Sequence, residues 1–235
     1  MNKQSNTYTI LYIMVMVLIV GSALALISMS LRDRQQMNAD SDKMKQILAA
    51  VHVVPSPDNV VADFHKYIVA EPVVDASGAV IAESGAFEVN VAVESKVADD
   101  KRQLPVYVCR LDGDVTKYII PVYGAGLWGP IWGYVAFDSD GSTVYGAYFA
   151  HQGETPGLGA EIEKPAFSNQ FEGKTVFHGD RFLPIAVVKA GQKPLGGEDY
   201  VDGVSGGTIT SKGVGAMLEN CLSPYANYLK SLITK

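Results

Sequence analysis

A glycine turn with several hydroxyl groups is the part of the sequence whose residue types point most directly to chemistry. Gly206 and Gly207 leave the approach to Thr208 free of side chains, so a bulky group can lie against the backbone there. Ser205 and Thr208 offer hydroxyl groups, and a helix predicted just after the turn presents N–H groups that suit a phosphate. The pattern indicates a site for a phosphorylated ligand.

The same turn does not fit the P-loop pattern of nucleotide-binding proteins. A GxxxxGK[ST] frame ending at Lys212 needs glycine where Ser211 stands, and Gly213 follows where Ser or Thr is required. The simpler alternative is an ordinary turn followed by a helix, for which Thr210 or Ser211 would serve as the N-cap.

Two further segments are rich in glycine. Residues 124–133 hold four glycines and both tryptophans of the chain, and His151–Gly159 follows a predicted strand with three glycines and a proline. Each segment alone is equally compatible with a structural turn, the first with its tryptophans in the core. Loops at strand ends are common places for binding sites, so both remain candidates.

Composition excludes several classes of protein. The chain is 48% apolar and 19% charged, enough to build a core, and its net charge of −6 argues against a nucleic-acid partner. Cys109 and Cys221 fit no metal or CxxC spacing and are interpreted as buried free thiols, and the four histidines suggest no metal site. No GxGxxG stands between a predicted strand and a predicted helix, so a nicotinamide-binding fold is not indicated.

The N-terminal part predicts a membrane anchor. Tyr8–Leu31 contains no charged residue, and a helix of that length spans about 36 Å, more than the ~30 Å hydrocarbon core of a bilayer. A cleaved signal peptide is the alternative, but its apolar region is usually only about 7–15 residues long. Arg32 and Arg34 after the span, against Lys3 before it, weakly favour a cytoplasmic position for the rest of the chain.

The sequence is divided into an anchor at 1–31, a stalk and connecting segment at 32–66, and a domain at 67–235. Short Val-, Ala- and Tyr-rich runs separated by turn residues predict strands. The segments concerned are 67–70, 87–94, 105–109, 118–123, 131–137, 143–150 and 185–188. From Ser211 an apolar stripe predicts a helix that Pro224 breaks. The fold class is therefore α+β, a largely antiparallel sheet with flanking helices behind one transmembrane helix.

Together the three glycine-rich segments resemble those of a known family. Ser205-Gly206-Gly207-Thr208, preceded by Asp202, is similar to the D-x-x-[ST]-G-A-T motif of covalent FMN-binding domains. Gly126-Leu127-Trp128 and His151–Gly159 resemble the G-L-W turn and the H-G-E-T-P-G-L-G loop of the C subunit of the sodium-translocating NADH:quinone oxidoreductase. The chain departs from these patterns at Gly207, where alanine is usual, and at Gln152, an additional residue in the loop.

The resemblance implies an electron-relay subunit that is inactive alone and serves a sodium-exporting enzyme. FMN would be attached to Thr208 through a phosphoester, and Ser205, Gly206 and Gly207 of the same motif would form part of its binding site. The loop residues Thr155, Gly157 and Leu158 would lie against its ring. The implied partners are the other subunits of the membrane complex, a flavin transferase and membrane lipid. The resemblance places the chain in a bacterial inner membrane with its domain in the periplasm, against the arginine signal.

Two alternatives stay open at this point. One is the G subunit of the related ferredoxin:NAD oxidoreductase complex, which shares the anchor and the motif at Thr208. The other is a flavin-free, membrane-anchored assembly subunit. The G-L-W and E-T-P-G-L-G details favour the sodium pump.

Overall fold

The computed structural model describes residues 6–233. The first five residues of the predicted anchor, which include Lys3, lie outside the described residues. The last two residues of the predicted 67–235 domain also lie outside them. The described chain forms two compact units, one ending at Lys43 and the other beginning at Met44.

The first unit is a single helical segment. Helix α1 (Asn6–Ala49) is continuous through the predicted span and into the predicted stalk and connecting segment, where it ends at Ala49. Its apolar stretch is not buried against protein, and among residues 6–233 it is the one helix that is long and apolar enough to cross a membrane. An apolar surface on all sides of a helix is typical of a segment surrounded by lipid.

The second unit contains the end of α1 and all the remaining elements. Its other helices are α2 (Val60–Tyr67), α3 (Val91–Glu94), α4 (Pro165–Ser168), α5 (Thr208–Leu222) and α6 (Ala226–Ile233). Its strands are β1 (Ile68–Ala70), β2 (Val73–Val74), β3 (Val80–Ala82), β4 (Leu104–Pro105), β5 (Tyr107–Leu111), β6 (Val115–Ala125), β7 (Pro130–Phe137), β8 (Val144–His151), β9 (Phe177–His178), β10 (Arg181–Phe182), β11 (Ala186–Val188) and β12 (Tyr200–Asp202). Short 3₁₀ helices lie at Asp99–Lys101, Gly159–Glu163, Asn169–Phe171 and Ser223–Tyr225.

An antiparallel sheet in the order β1-β5-β6-β7-β8 forms the centre of this unit. Its longest strand, β6, pairs with β7 from Tyr118 with Phe137 to Ala125 with Pro130. Their connection is a tight turn in which Gly126 N–H donates to the Gly129 carbonyl at 2.8 Å. The turn places Leu127 and Trp128 at one end of the sheet.

Alternation along the strands divides the core between the two sheet faces. Ile119 belongs to a buried cluster with the end of α1 and with α2, whereas Ile120 belongs to the cluster that contains α5 and α6. Successive side chains of a strand point to opposite faces, so adjacent isoleucines supply both layers. Ile47 and Leu48 of α1 are fully buried, so residues well before Tyr67 contribute to the core.

The predicted fold class is confirmed. The central sheet is antiparallel, helices flank it, and the apolar stripe of α5 is buried as predicted: Val214, Met217, Leu218, Cys221 and Leu222. Helix α5 ends at Leu222, just before Pro224. The pair β11 and β12 is parallel and lies outside the main sheet. Cys109 and Cys221 are buried free thiols.

The strand predicted at 87–94 is wrong. Val91–Glu94 forms the short helix α3, and the residues before it form a turn. Asn90 begins the helix because its side-chain oxygen accepts a hydrogen bond from Val93 N–H at 3.3 Å. The alternation of apolar and polar residues matched a strand pattern, but the local cap and turn decided the conformation.

The strand predicted at 105–109 is interrupted. Pro105 ends β4, which pairs with β2, whereas Tyr107 begins β5, which pairs with β6. Val106 between them donates its N–H to Pro72 at 2.9 Å, so the chain passes from one sheet to the other there. The strands predicted at 118–123, 131–137 and 143–150 correspond to β6, β7 and β8, and β8 begins at Val144. The strand predicted at 185–188 corresponds to β11, which begins at Ala186. The strand predicted at 67–70 corresponds to β1, which begins at Ile68 because Tyr67 is the last residue of α2.

Candidate functional site

The three glycine-rich segments, which lie far apart in the sequence, meet at the N-terminus of α5. They enclose a cleft of about 390 Å³. Its lining comes from the β6–β7 turn (Leu127, Trp128), from the loop after β8 (Glu154, Thr155, Leu158, Gly159) and from the start of α5 (Gly206, Gly207, Thr208, Ile209, Thr210). Five of the seven predicted site residues therefore share one cleft.

Thr208 is the first residue of α5, and its side chain is exposed. It lines the first cleft and also a second cleft of about 350 Å³ on the other side of the turn. Ser205, Lys189 and Lys212 line the second cleft. Of the remaining predicted residues, Ser205 thus lies beside Thr208, and Gly157 lies in the loop with φ +75°.

The other two hydroxyl groups near the turn, those of Thr210 and Ser211, already form hydrogen bonds within the protein. Thr210 is buried, and its hydroxyl donates to Glu154 Oε2 at 2.5 Å. Ser211 is also buried, and its Oγ accepts a hydrogen bond from Val204 N–H at 2.9 Å. The expectation that Thr210 or Ser211 caps the helix is wrong. Gly207 is the N-cap and has no side chain, because α5 begins three residues earlier than Ser211.

Glu154 is the residue that sequence reasoning missed. Its side chain is 5% exposed, and Oε1 accepts a hydrogen bond from Trp128 N–H at 2.8 Å while Oε2 accepts from Thr210. Burial opposes ionisation, but the hydrogen bonds from Thr210, Trp128 and Leu127 and the neighbouring His151 hold the pKa of Glu154 below its ordinary value. The carboxylate thus connects its own loop to the other two segments.

The glycines around Glu154 are the sequence feature that could have indicated a buried group at this position. A Cβ on Gly126 would lie 2.5 Å from Glu154 Oε1, and a Cβ on Gly159 would overlap Oε2 and the Thr210 hydroxyl. Glycine spacing in the sequence indicated close approach, but it could not show which group approaches.

Large apolar side chains around the cleft are open to solvent. Trp128 is 69% exposed, Ile209 56%, Leu127 48% and Leu158 43%. Trp132 is partly buried and donates its ring N–H to Gln46 Oε1 at 2.9 Å. The tryptophans therefore do not form a common core, and Trp128 belongs to the apolar wall of the cleft.

Comparison with known proteins places this arrangement in a family. A family model for FMN-binding domains matches residues 126–223, from the β6–β7 turn through α5. The C subunit of Na(+)-translocating NADH-quinone reductase from Vibrio alginolyticus is 37% identical over 204 residues, 80% of this chain and 78% of that protein. The corresponding protein of Vibrio anguillarum is 33% identical over 91% of this chain and 89% of its own length. The chain belongs to the family of Na(+)-translocating NADH-quinone reductase C subunits.

A crystal structure supports the same assignment. The C subunit from Parabacteroides distasonis matches with a TM-score of 0.78 and 49% identity, over 85% of this chain and 96% of that one. The resemblance stated from the motifs is therefore confirmed, and the second unit contains an FMN-binding domain.

The two departures from the family motifs have clear places in the structure. Gly207 has φ −100°, which any residue can adopt, but a Cβ there would lie 3.2 Å from the Leu158 carbonyl. Alanine would therefore be tight and would require a shift of a few tenths of an ångström. Gln152 is exposed and donates its N–H to the Pro130 carbonyl at 3.1 Å, so the additional residue lies beside the β6–β7 turn.

Proposed function

We propose that this protein is the electron-relay subunit of a membrane NADH:quinone reductase that exports sodium, and that it carries FMN on Thr208 through a phosphoester. One observation carries the attachment site. Thr208 is exposed between two clefts, whereas the hydroxyl groups of Thr210 and Ser211 are buried in hydrogen bonds. Ser205 is the other exposed hydroxyl of this turn, and the resemblance to the family motif, in which the threonine carries the flavin, supports Thr208 over Ser205.

The residues of the site fit FMN. Leu127, Trp128 and Leu158 offer an apolar wall for a planar ring system. The first N–H groups of α5 have no side-chain cap, because Gly207 is the N-cap, and such groups suit a phosphate. Lys212 stands one helical turn after Thr208 and lines the second cleft together with it, which adds a positive charge near the proposed phosphate position.

In this proposal the protein's part is to hold and orient the cofactor. When bound, FMN supplies the redox chemistry. Thr208 would fix the phosphate end, Leu158 would pack on the ring and Thr155 would hydrogen-bond near it, since all three line the cleft, and Gly157 with its positive φ shapes the loop. No residue of the site is assigned a catalytic proton transfer.

The chain is proposed to relay electrons inside a complex and not to oxidise NADH alone. Its one G-x-G-x-x-G spacing, Gly124 to Gly129, connects two antiparallel strands. A dinucleotide fingerprint needs a strand followed by a helix, whose N-terminus receives the pyrophosphate. The proposed partners are the other subunits of the reductase, with lipid around α1 and a flavin transferase for maturation.

We also propose that α1 anchors the chain in a bacterial inner membrane with the second unit in the periplasm. The family resemblance supports this orientation, and Arg32 and Arg34 oppose it weakly. A reporter fused to the C-terminus decides between them. Alkaline phosphatase activity supports the periplasm, and green fluorescence without phosphatase activity contradicts it.

Intact mass tests the cofactor assignment. Full-length chain co-expressed with a flavin transferase should be heavier than the polypeptide by FMN minus one water. Thr208→Val keeps the side-chain shape, removes the hydroxyl and should abolish the increase, whereas Ser205→Ala should retain it. A normal increase in Thr208→Val removes Thr208 as the attachment site, and no increase in the wild-type chain overturns the flavoprotein assignment.

A further inference from the structure

We infer that Glu154 positions the walls of the flavin cleft and, through its buried negative charge, lowers the reduction potential of the flavin bound there. The inference rests on the proposed binding of FMN and adds a role for a residue that itself forms no bond to the attachment site. It follows from the contacts, the packing and the charge of this side chain.

The contacts make Glu154 the common partner of the three segments. Trp128 N–H, 26 residues away in the chain, donates to Oε1 at 2.8 Å, and the Thr210 hydroxyl, 56 residues away, donates to Oε2 at 2.5 Å. The loop itself is held by Glu154 N–H, which donates to His151 Nδ1 at 3.1 Å. The side chain thereby sets the distance between the β6–β7 turn and the N-terminus of α5.

The packing shows that the site is built around a carboxylate. Gly126 and Gly159 lie against its two oxygens, where a Cβ on either would collide with the side chain. Because both neighbours lack side chains, Glu154 reaches inward from an otherwise exposed loop and becomes part of the lining of the cleft.

Among the described residues, the charge of Glu154 has His151 as a neighbour but is not paired with a lysine or an arginine. Within residues 6–233 no lysine or arginine forms an ion pair with Glu154, and its hydrogen-bond donors are neutral groups: two backbone N–H groups and a hydroxyl. Burying an ion without a counter-ion is costly, and a neutral glutamine could form the same connections more cheaply. A negative charge in the wall of a cleft opposes the gain of electrons by a flavin in that cleft, and the burial of Glu154 limits the screening of this charge by water.

Two substitutions distinguish the effect of the negative charge of Glu154 from the effect of its hydrogen bonds. Glu154→Gln retains an acceptor for Trp128 N–H, its amide group can donate to the Thr210 oxygen, and the charge is lost. Thr210→Val retains the charge and removes one donor that partly offsets it. Glu219→Gln is the matched control, since it removes a negative charge from the exposed face of the same helix, about 16 Å along α5 from Thr208.

The readout is the midpoint potential of the covalently labelled, full-length chain in detergent, measured by spectroelectrochemical titration. We expect a higher potential in Glu154→Gln, a lower potential in Thr210→Val, recovery of the wild-type value in Thr210→Ser, and no change in Glu219→Gln. An unchanged or lower potential in Glu154→Gln overturns the inference.

The remaining outcomes are also decisive. If Glu154→Gln does not yield folded chain, Thr210→Val and Thr210→Ser decide, and a potential in Thr210→Val that is equal to or higher than that of Thr210→Ser overturns the inference. A shift in Glu219→Gln as large as that in Glu154→Gln also overturns it, since a charge remote from the cleft would then have the same effect. If intact mass shows no flavin on the wild-type chain, the proposed function fails instead, so the two failures are distinguishable.

Discussion

The side chain of Leu158 lies directly over Gly206. A Cβ on Gly206 would be 2.6 Å from Leu158 Cδ2, and the φ of Gly206 is +76°, a conformation that favours glycine. The loop after β8 therefore closes onto the turn before α5 at a point where no larger residue fits. This contact joins two of the proposed flavin-binding segments beside Thr208.

Gly206→Ala should lower flavin attachment and stability together. The added methyl group displaces Leu158, and alanine at positive φ costs about 1 kcal/mol or more in the free energy of unfolding. Gly173→Ala is the control, because Gly173 has φ +73° with open space around it. Both variants should lose stability in thermal unfolding, but only Gly206→Ala should lose labelling by intact mass. Equal labelling in the two variants would show that the Leu158 contact is not needed.

Gly207→Ala should retain flavin attachment at wild-type stoichiometry. The backbone at Gly207 accepts alanine, and the 3.2 Å contact with the Leu158 carbonyl requires only a small shift. We expect the free energy of unfolding to change by less than about 1 kcal/mol, since Gly→Ala also reduces the entropy of the unfolded chain. Intact mass and urea unfolding measure both effects. Loss of label here would indicate that this chain is adapted to glycine in place of the family's alanine.

Acid should destabilise the wild-type chain more than Glu154→Gln. The folded-state pKa of Glu154 is lowered from its ordinary value of 4.5, so the stability that ionised Glu154 contributes is present above that value and is lost as the pH falls through the lowered one. His151 and Glu163, which lie near this loop, are present in both chains, so the two chains differ only at residue 154. Urea unfolding between pH 7 and pH 3 should give a wild-type curve that declines more steeply at the acidic end, and parallel curves would contradict the prediction.

Two N-terminal truncations should behave differently. Removal of residues 1–43 takes away the apolar part of α1 and leaves the second unit complete, so a soluble, folded domain should result. Removal of residues 1–51 also deletes Ile47, Leu48 and Val51 from the core, at a cost of about 1.5–3 kcal/mol for each large side chain. Membrane fractionation and thermal unfolding distinguish them. A 1–43 truncation that still pellets with membranes after a high-salt wash, without other subunits, would contradict the anchor assignment.

Features with a local cause were predictable from the sequence. Tyr118–Tyr123 and Ile131–Phe137 form strands as predicted, because their β-branched and aromatic residues suit a sheet and glycines mark the turn between them. The α5 stripe followed from helical periodicity. The strand prediction for 87–94 failed because Asn90 caps a short helix within a segment whose apolar and polar residues alternate.

The inside of the site was not predictable in the same way. The bond between Thr210 and Glu154 joins residues 56 positions apart, and no local pattern encodes it. The early start of α5 has a similar origin. Ser211, expected to cap the helix, lies within it and binds the backbone of Val204, so Gly207 became the N-cap. Tertiary contacts decided both features.

The open walls of the cleft affect how a cofactor can be retained there. Leu127, Trp128 and Leu158 remain 43–69% exposed, so the cleft covers little of a bound ring and gives a weak affinity by burial alone. A freely exchanging flavin in such a cleft would also dissociate more readily in whichever oxidation state bound less tightly. The proposed covalent bond to Thr208 would make occupancy independent of both the free FMN concentration and the oxidation state. The protein could then leave one ring edge uncovered, within reach of an electron donor and an electron acceptor, without losing the cofactor between turnovers.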